Sequence, residues 1–487
     1  MESVERNDTL NPLTRELPQR VSDRIRDIVG ERGILTDPAD TAPYLSDWRG
    51  AYKGKAALVV RPASTAEVSG VLALCHQEGI PVVTQGGNTG LCGGSMPDAS
   101  GRQIVLSLNR LNRIRNIDAA NDTLVAEAGC ILADVQNAAR EVGRLFPLSM
   151  GSEGSCTIGG NLATNAGGIA VLRYGNMRDL TLGIEVVLPD GRIWDGLRGL
   201  RKDNTGYDLK HLFIGSEGSL GVITAAVLKL YPLPTEKAVA FAALPSPEAA
   251  IELFKHLRSL CGPRLTGFEL MSRMSLDFVL RHMAGCTDPM AEPHPWYLLI
   301  ELTDSSPTAN LRELIETGLM GPLEDGQVLD AVIAADEAQA AALWKLREGI
   351  SEAQNFEGPS IKHDISVPVS SIPGFIDKAS AALSNEIPGI RLVCYGHVGD
   401  GNLHFNLSKP PDSENADFRA QAGRIGRVVY DVVAQFTGSI SAEHGLGQSK
   451  RQDIVRYKSD LELELMRSIK GLLDPKAIMN PGKVLPD

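Results

Sequence analysis

Three long glycine-rich segments crowd the first half of the chain: VVTQGGNTGLCGG at 82–94, GSEGSCTIGGNLATNAGG at 151–168 and FIGSEGSLGVITAAVLKLYP at 213–232. Glycine admits positive φ and lets a ligand approach backbone amides closely. Successive amides of that kind form concave anion sites without a lysine. One such segment could be a set of tight turns in an ordinary α/β protein, but three together imply a large phosphorylated cofactor. Two common phosphate binders fail in detail. No G-x-x-x-x-G-K-[ST] is present, which removes a P-loop. The cluster at 86–94 follows the second strand of its β-α-β unit, whereas a Rossmann turn links the first strand to its helix.

The elements around these segments are legible. LPQRVSDRIRDIV, residues 17–29, sets Val21, Ile25 and Ile28 on one face of a lead-in helix. ALVVRP reads as a strand. STAEVSGVLALCHQEG follows as a helix, with Ser64 and Glu67 in capping-box spacing and Gly79 at its end, and IPVVTQ as the next strand. QIVLSL and TLVAEAG are strands, ILADVQNAAREVG a helix, and LGIEVVLPDGRIWDG a hairpin about Asp190 and Gly191. Composition shifts between Pro232 and Lys237. Beyond it, helices such as SPEAAIELFKHLRSL alternate with strands such as WYLLIEL, the pattern of an α+β layer domain. The expected boundaries are a helical lead-in over 1–49, a glycine-rich domain over 50–235, an α+β domain over 236–440, and a C-terminal segment over 441–487.

A net charge of −12 over 487 residues argues against nucleic acid or an anionic membrane as partner, since either needs a broad basic face. No apolar run approaches the roughly 18 residues of a spanning helix. The opening MESVERNDTLNPLTRELPQR has no apolar core for secretion, and its acidic residues argue against an organellar leader. Seven scattered cysteines without a C-x-x-C pair read as reduced thiols. The expectation is a cytoplasmic protein.

The second constraint is RLVCYGHVGDGNLHFNLS, residues 391–408, which carries two of the nine histidines around an Asp-Gly pair. If Asp400 and Gly401 form a two-residue turn, His397 pairs directly with His404, with Cβ atoms about 4.5–5.5 Å apart. Tyr395 and Asn406 share that face. Opposed imidazoles suit one metal ion at about 2.0–2.1 Å, as in zinc sites, but a third ligand is needed. SISAEHGLGQSK offers Glu443 and His444. Spacing alone leaves the alternative equally open, that both histidines are hydrogen-bonded core residues.

The three glycine segments together resemble the FAD-binding domain of the vanillyl-alcohol-oxidase-like flavoproteins, the PCMH-type fold. That resemblance implies two α+β subdomains holding FAD over 50–235, an α+β cap with an antiparallel sheet over 236–440, and a C-terminal helical segment over 441–487 that completes the site. It implies that Gly86, Gly87, Asn88, Thr89 and Gly90 cradle the pyrophosphate. Ser152, Gly154, Ser155, Gly159, Gly160, Asn161, Thr164, Asn165, Gly167 and Gly168 would line the diphosphate and flavin. Glu217, Gly221, Val222 and Ile223 would face the ribityl and adenine side, with Asn480 of the terminal NPGKVLP also at the cofactor. Members that attach flavin covalently often have a histidine in the first loop; Asn88 occupies that region here, which implies non-covalent FAD.

YGHVGDGNLHFN and SISAEHGLG are similar to the paired signatures of the D-2-hydroxyacid dehydrogenase branch, which includes D-lactate and D-2-hydroxyglutarate dehydrogenases. The resemblance implies a divalent metal, usually zinc, on His397, His404 and Glu443, with His444 as the base that also touches substrate. LREGIS and IKHD are most like the D-2-hydroxyglutarate enzymes, and imply carboxylate contacts from Arg347, Ser351 and Lys362, joined by Asn406. Ser351 stands where threonine is common. The implied substrate is D-2-hydroxyglutarate, with D-lactate or another D-2-hydroxyacid as the nearest alternative. Electrons would pass to an acceptor such as an electron-transfer flavoprotein or a quinone, and a homodimer is compatible with the chain. A zinc hydrolase would use the same histidines and glutamate but leaves the glycine segments unexplained. Non-redox transfer on the flavin, as in alkyl-glycerone-phosphate synthases, is a third reading.

Overall fold

The computed structural model describes residues 17–486. The first 16 residues, on which the reading against a leader largely rests, lie outside the described residues. The β-α-β unit forms as expected. Leu58–Val60, Ile104–Ser107 and Val82–Gln85 run parallel in that spatial order, with Ile34–Leu35 antiparallel at the edge. The crossover helix Thr65–Glu78 has both ends marked. Ser64 Oγ accepts the Glu67 amide at 3.2 Å, and Gly79 turns the chain out at φ 66°. The Glu67 carboxylate accepts the Ala63 amide, one residue earlier than a strict capping box requires.

A second sheet is antiparallel, in the order Ile114–Asp118, Thr123–Glu127, Val222–Lys229, Thr181–Val187, Ile193–Gly196. The end of the chain returns to the first sheet. The Val82 amide donates to Ile478 O and the Asn480 amide to Val82 O, both at 2.8 Å, so the tail lies beside the strand that feeds the first glycine loop.

The third sheet is antiparallel and covered on both faces. Its spatial order is Asp330–Ile333, Glu236–Leu244, Trp296–Asp304, Leu265–Ser272, Arg391–His397, Asn402–Ser408, Ser360–Ile361, with Asp364–Ser366 also pairing Asn402–Ser408. Strand side chains alternate between faces. Phe268, Leu270, Cys394 and Phe405 therefore enter one apolar core, with helices Pro247–Cys261, Ile372–Glu386 and Ala422–Gln435. Met271, Val393 and Tyr395 enter the other, with helices Arg273–His282 and Glu337–Glu348. His397, His404, Asn406 and Glu269 lie on this second face as its polar members. No helix among the described residues is long and apolar enough to cross a membrane, and all seven cysteines are free.

The two-residue turn at Asp400 and Gly401 does not form. The observed register pairs Tyr395 with His404 and Val393 with Asn406, and the loop spans residues 398–401. The Asp400 amide donates to His397 O at 3.1 Å and the Asp400 carboxylate accepts the Asn402 amide at 3.1 Å. That turn comes first, and Gly401, at φ 91°, then follows it as the left-handed residue of a longer loop. His397 instead sits opposite Glu269 of the neighbouring strand. Because the register moves by two residues, both histidines keep the face they were expected to share. Their rings lie edge to face with centroids 5.7 Å apart.

Candidate active site

The first and second glycine segments border a cavity of about 320 Å³ lined by Gly86, Gly87, Asn88, Ser155 and Thr157. Ser107 Oγ and Thr157 Oγ1 face it from buried positions and have no hydrogen-bond partner among the described residues. A buried polar atom without a partner is rare enough to require explanation, and an oxygen-rich ligand supplies one. A Cβ on Gly87 would collide with the Ser155 carbonyl, whereas Gly90 and Gly154 face open space. Four residues of the expected cofactor set hold strained left-handed backbone: Asn88 at φ 55°, Asn165 at 50°, Glu217 at 52° and Asn480 at 45°. These features fit a dinucleotide cofactor held by backbone amides. Gly87→Ala is expected to lower FAD affinity roughly 10- to 100-fold, corresponding to the ~1–3 kcal/mol of a forced backbone shift. Flavin content after purification measures it.

Two residues of the expected cofactor set act through other parts of the chain. The Glu217 carboxylate accepts the amides of Leu446 and Gly447 at 2.8 and 2.9 Å. Asn480 accepts the Thr84 amide and donates to the carbonyls of Glu217 and Gly94. Together they tie the first and third glycine segments to the loop carrying Glu443 and His444. A Cβ on Gly445 would lie 2.7 Å from Glu217 Oε1, and one on Gly167 would lie 3.2 Å from Glu443 Oε1. The C-terminal loop is thus seated against both glycine segments.

The expected metal ligands converge. Glu443 Oε1 lies 3.9 Å from His397 Nε2, and Oε2 lies 3.9 Å from His404 Nε2. Tetrahedral ligands at about 2.0–2.1 Å from one ion lie roughly 3.3–3.4 Å apart, so these donors would seat a divalent metal after closing inward by about half an ångström. A different group, Asp364, His404, Glu443 and His444, which leaves out His397, brings its ligand atoms within 4.8 Å of one another. Asp364 is the poorer ligand of the two arrangements because its oxygens already have partners. Oδ2 accepts the amides of Glu443 and His444, both at 2.8 Å, and Oδ1 accepts Asn402 Nδ2 at 2.9 Å. It therefore braces the loop carrying Glu443 and His444, and its Oδ2 also lies 3.4 Å from His444 Nδ1.

Burial pushes the His404 imidazole well below its ordinary value and lowers that of His444, despite the Asp364 charge beside both. Both rings are held neutral, as a metal ligand or a base requires. Burial also acts against protonated His397, but the Glu269 carboxylate outweighs it and raises that group to about 9. Burial raises Glu443 to about 7.

The expected carboxylate-binding residues gather beside this cluster. Lys362 Nζ donates to Ser351 Oγ at 3.2 Å. The Arg347 guanidinium lies 4.7 Å from the Tyr395 ring centroid. Asn406 is buried with its amide engaged: Oδ1 accepts the His363 amide, and Nδ2 donates to Gln354 Oε1 at 3.2 Å and reaches the Tyr395 hydroxyl at 3.4 Å. Arg347 is not a free fork. Its Nε lies 2.8 Å from Glu269 Oε2, as does Nη2, so one edge of the guanidinium is already paired. Sequence reading missed Glu269 and Asp364. Glu269 did leave a signal, as a carboxylate in the otherwise apolar strand LTGFELM, where an acidic side chain needs a partner.

Comparison with known proteins agrees with this geometry. The family described as FAD linked oxidases, C-terminal domain, matches residues 233–484, and the FAD binding domain family matches 56–196. The chain belongs to the FAD-linked oxidases, within the branch that contains the D-2-hydroxyglutarate dehydrogenases, and its class is that of FAD-dependent D-2-hydroxyacid dehydrogenases. The mitochondrial D-2-hydroxyglutarate dehydrogenase of Arabidopsis thaliana is 41% identical over 98% of this chain and 83% of its own. The D-2-hydroxyglutarate dehydrogenase of Xanthomonas citri pv. viticola is 41% identical over 93% of this chain and 94% of its own. Among solved structures, p-cresol methylhydroxylase with substrate bound aligns with a TM-score of 0.75 at 17% identity, covering 96% of this chain and 97% of that one. That likeness establishes the PCMH-type α+β fold.

The cytoplasmic expectation is corrected by the same comparison, since the Arabidopsis relative is named as mitochondrial. The thiols that suggested cytosol are indeed unpaired, but reduced cysteines do not separate one reducing compartment from another.

Proposed function

We propose that the protein oxidises D-2-hydroxyglutarate to 2-oxoglutarate with non-covalent FAD and a divalent metal, for which zinc suits the donor set, and passes electrons to a separate acceptor such as an electron-transfer flavoprotein or a quinone. The observation that carries the substrate choice is the gathering of two cations, Arg347 and Lys362, with Ser351 beside the His397–His404–Glu443 cluster. Two cations suit two carboxylates. The side chain of Asn88 is held by Ser46 O at 2.9 Å and accepts Ser95 Oγ at 3.0 Å, which supports a cofactor loop without a covalent link.

A metal on His397, His404 and Glu443 would supply Lewis acidity toward the substrate's α-hydroxyl, and FAD would take up the α-hydrogen with its electron pair. The chain's own residues do the rest. The outer edge of Arg347 and the Lys362 ammonium bind the carboxylates, and Ser351 holds Lys362 in position. His444, neutral and braced by Asp364, removes the hydroxyl proton at the ring nitrogen turned away from that carboxylate.

Steady-state rates on a panel of D-2-hydroxyacids with a dye acceptor test the reading. Robust turnover of D-lactate with none of D-2-hydroxyglutarate would overturn it. Lys362→Ala is expected to cost the dicarboxylate roughly 10- to 100-fold in kcat/KM, the range of a lost hydrogen bond to a charged group. Monocarboxylates should lose far less, and equal losses would remove the two-carboxylate argument. Burial, with Arg49 adding repulsion, brings the Lys362 ammonium down to about 8. The dicarboxylate preference should therefore be full below that pH and fade above it, as the ammonium loses its proton.

A further inference from the structure

We propose that Glu269 is a positioning residue that couples the metal site to carboxylate recognition, holding His397 with one oxygen and Arg347 with the other; this deepens the functional reading above and rests on it. Glu269 Oε1 lies 2.6 Å from His397 Nδ1. Oε2 receives both Nε and Nη2 of Arg347 at 2.8 Å. The residue is 1% exposed, and it is placed by a strand pairing that sets Glu269 opposite His397. A carboxylate has two oxygens and accepts only, so each oxygen serves a different function of the site.

The consequences follow from geometry. In the neutral ring that a metal would bind, Nδ1 donates to Glu269 and the lone pair of His397 lies on Nε2, the nitrogen that faces Glu443 at 3.9 Å. With Nε and Nη2 paired to Glu269, the guanidinium is fixed with its carbon 4.7 Å from the Tyr395 ring centroid, which leaves its other edge for a substrate carboxylate. A shift of Glu269 therefore moves a metal ligand and a substrate clamp together. Metal affinity and substrate KM become linked through one buried side chain that touches neither ligand.

Glu269→Gln keeps the volume but offers one acceptor oxygen and an amide donor, so either His397 or Arg347 loses its partner. In flavin-loaded, metal-stripped protein, competition with a chromogenic chelator for Zn2+ is expected to show affinity reduced roughly 10- to 100-fold, the usual effect of removing a carboxylate behind a ligating histidine. KM for D-2-hydroxyglutarate at saturating zinc should rise more than kcat falls. A Glu269→Gln chain that folds and binds zinc as tightly as the unsubstituted one overturns the coupling, as does weakened zinc binding with unchanged KM. If Glu269→Gln does not fold, Arg347→Lys serves. Residue 347 does not touch the metal, so a fall in zinc affinity supports the coupling, and an unchanged affinity overturns it. Unsubstituted protein that takes up no zinc overturns the metal reading itself and the coupling with it; zinc bound equally by both chains overturns only the coupling.

Discussion

Replacing His444 by glutamine is expected to lower kcat by about 10²- to 10⁴-fold, the usual contribution of a positioned general base, while flavin absorbance and metal content stay unchanged. His444 Nδ1 faces Asp364 Oδ2 at 3.4 Å, and the same oxygen accepts the backbone amides of Glu443 and His444. The carboxylate thereby sets both the loop and the ring, leaving Nε2 as the basic nitrogen. Burial favours the neutral imidazole over the pull of Asp364. Glutamine approximates the size of the ring but cannot take the proton. If kcat survives in a folded, flavin-loaded His444→Gln chain, the base lies elsewhere.

Removing the metal should abolish turnover while leaving flavin bound. In the proposed reading the two groups would be held by different parts of the chain. The cavity at Gly86, Gly87 and Thr157 belongs to the first half, whereas His397 and His404 lie on the cap hairpin and Glu443 on the C-terminal loop. Incubation with a chelator, followed by visible spectroscopy and an activity assay, separates them. Restoration by zinc completes the test. Activity that persists after complete metal removal would leave His397 and His404 as structural or directly substrate-binding residues. Colour lost together with the metal would mean that the two sites are not independent.

Much of the fold is local in origin and was readable for that reason. The capped helix Thr65–Glu78, the strands on either side of it and the hairpin strands around residues 391–408 follow from alternation, capping and glycine position, all encoded within a few residues. Glycine spacing likewise marked the loops that border the cavity at Gly86, Gly87 and Ser155. The hairpin register was not readable, because an Asp-Gly pair can be the whole turn or the end of a longer one. The neighbouring strand at Glu269 takes part in the outcome. Arg347 looked like a free carboxylate clamp because its partner is not a local acid such as Glu348 but Glu269, 78 residues away.

By itself the sequence determined the chemistry available: glycine loops that expose amides, two imidazoles on one sheet face, and a Glu-His pair in a loop of small residues. A two-residue change in register preserves a face, so that part of the reading survived the wrong turn. Only the tertiary structure decided which group serves which. It closes the C-terminal loop onto Glu217 and Asp364, and it sets the buried Glu269 carboxylate between His397 and Arg347. The physical reason is that buried charges are stable only when paired, and these partners are supplied by segments distant in sequence.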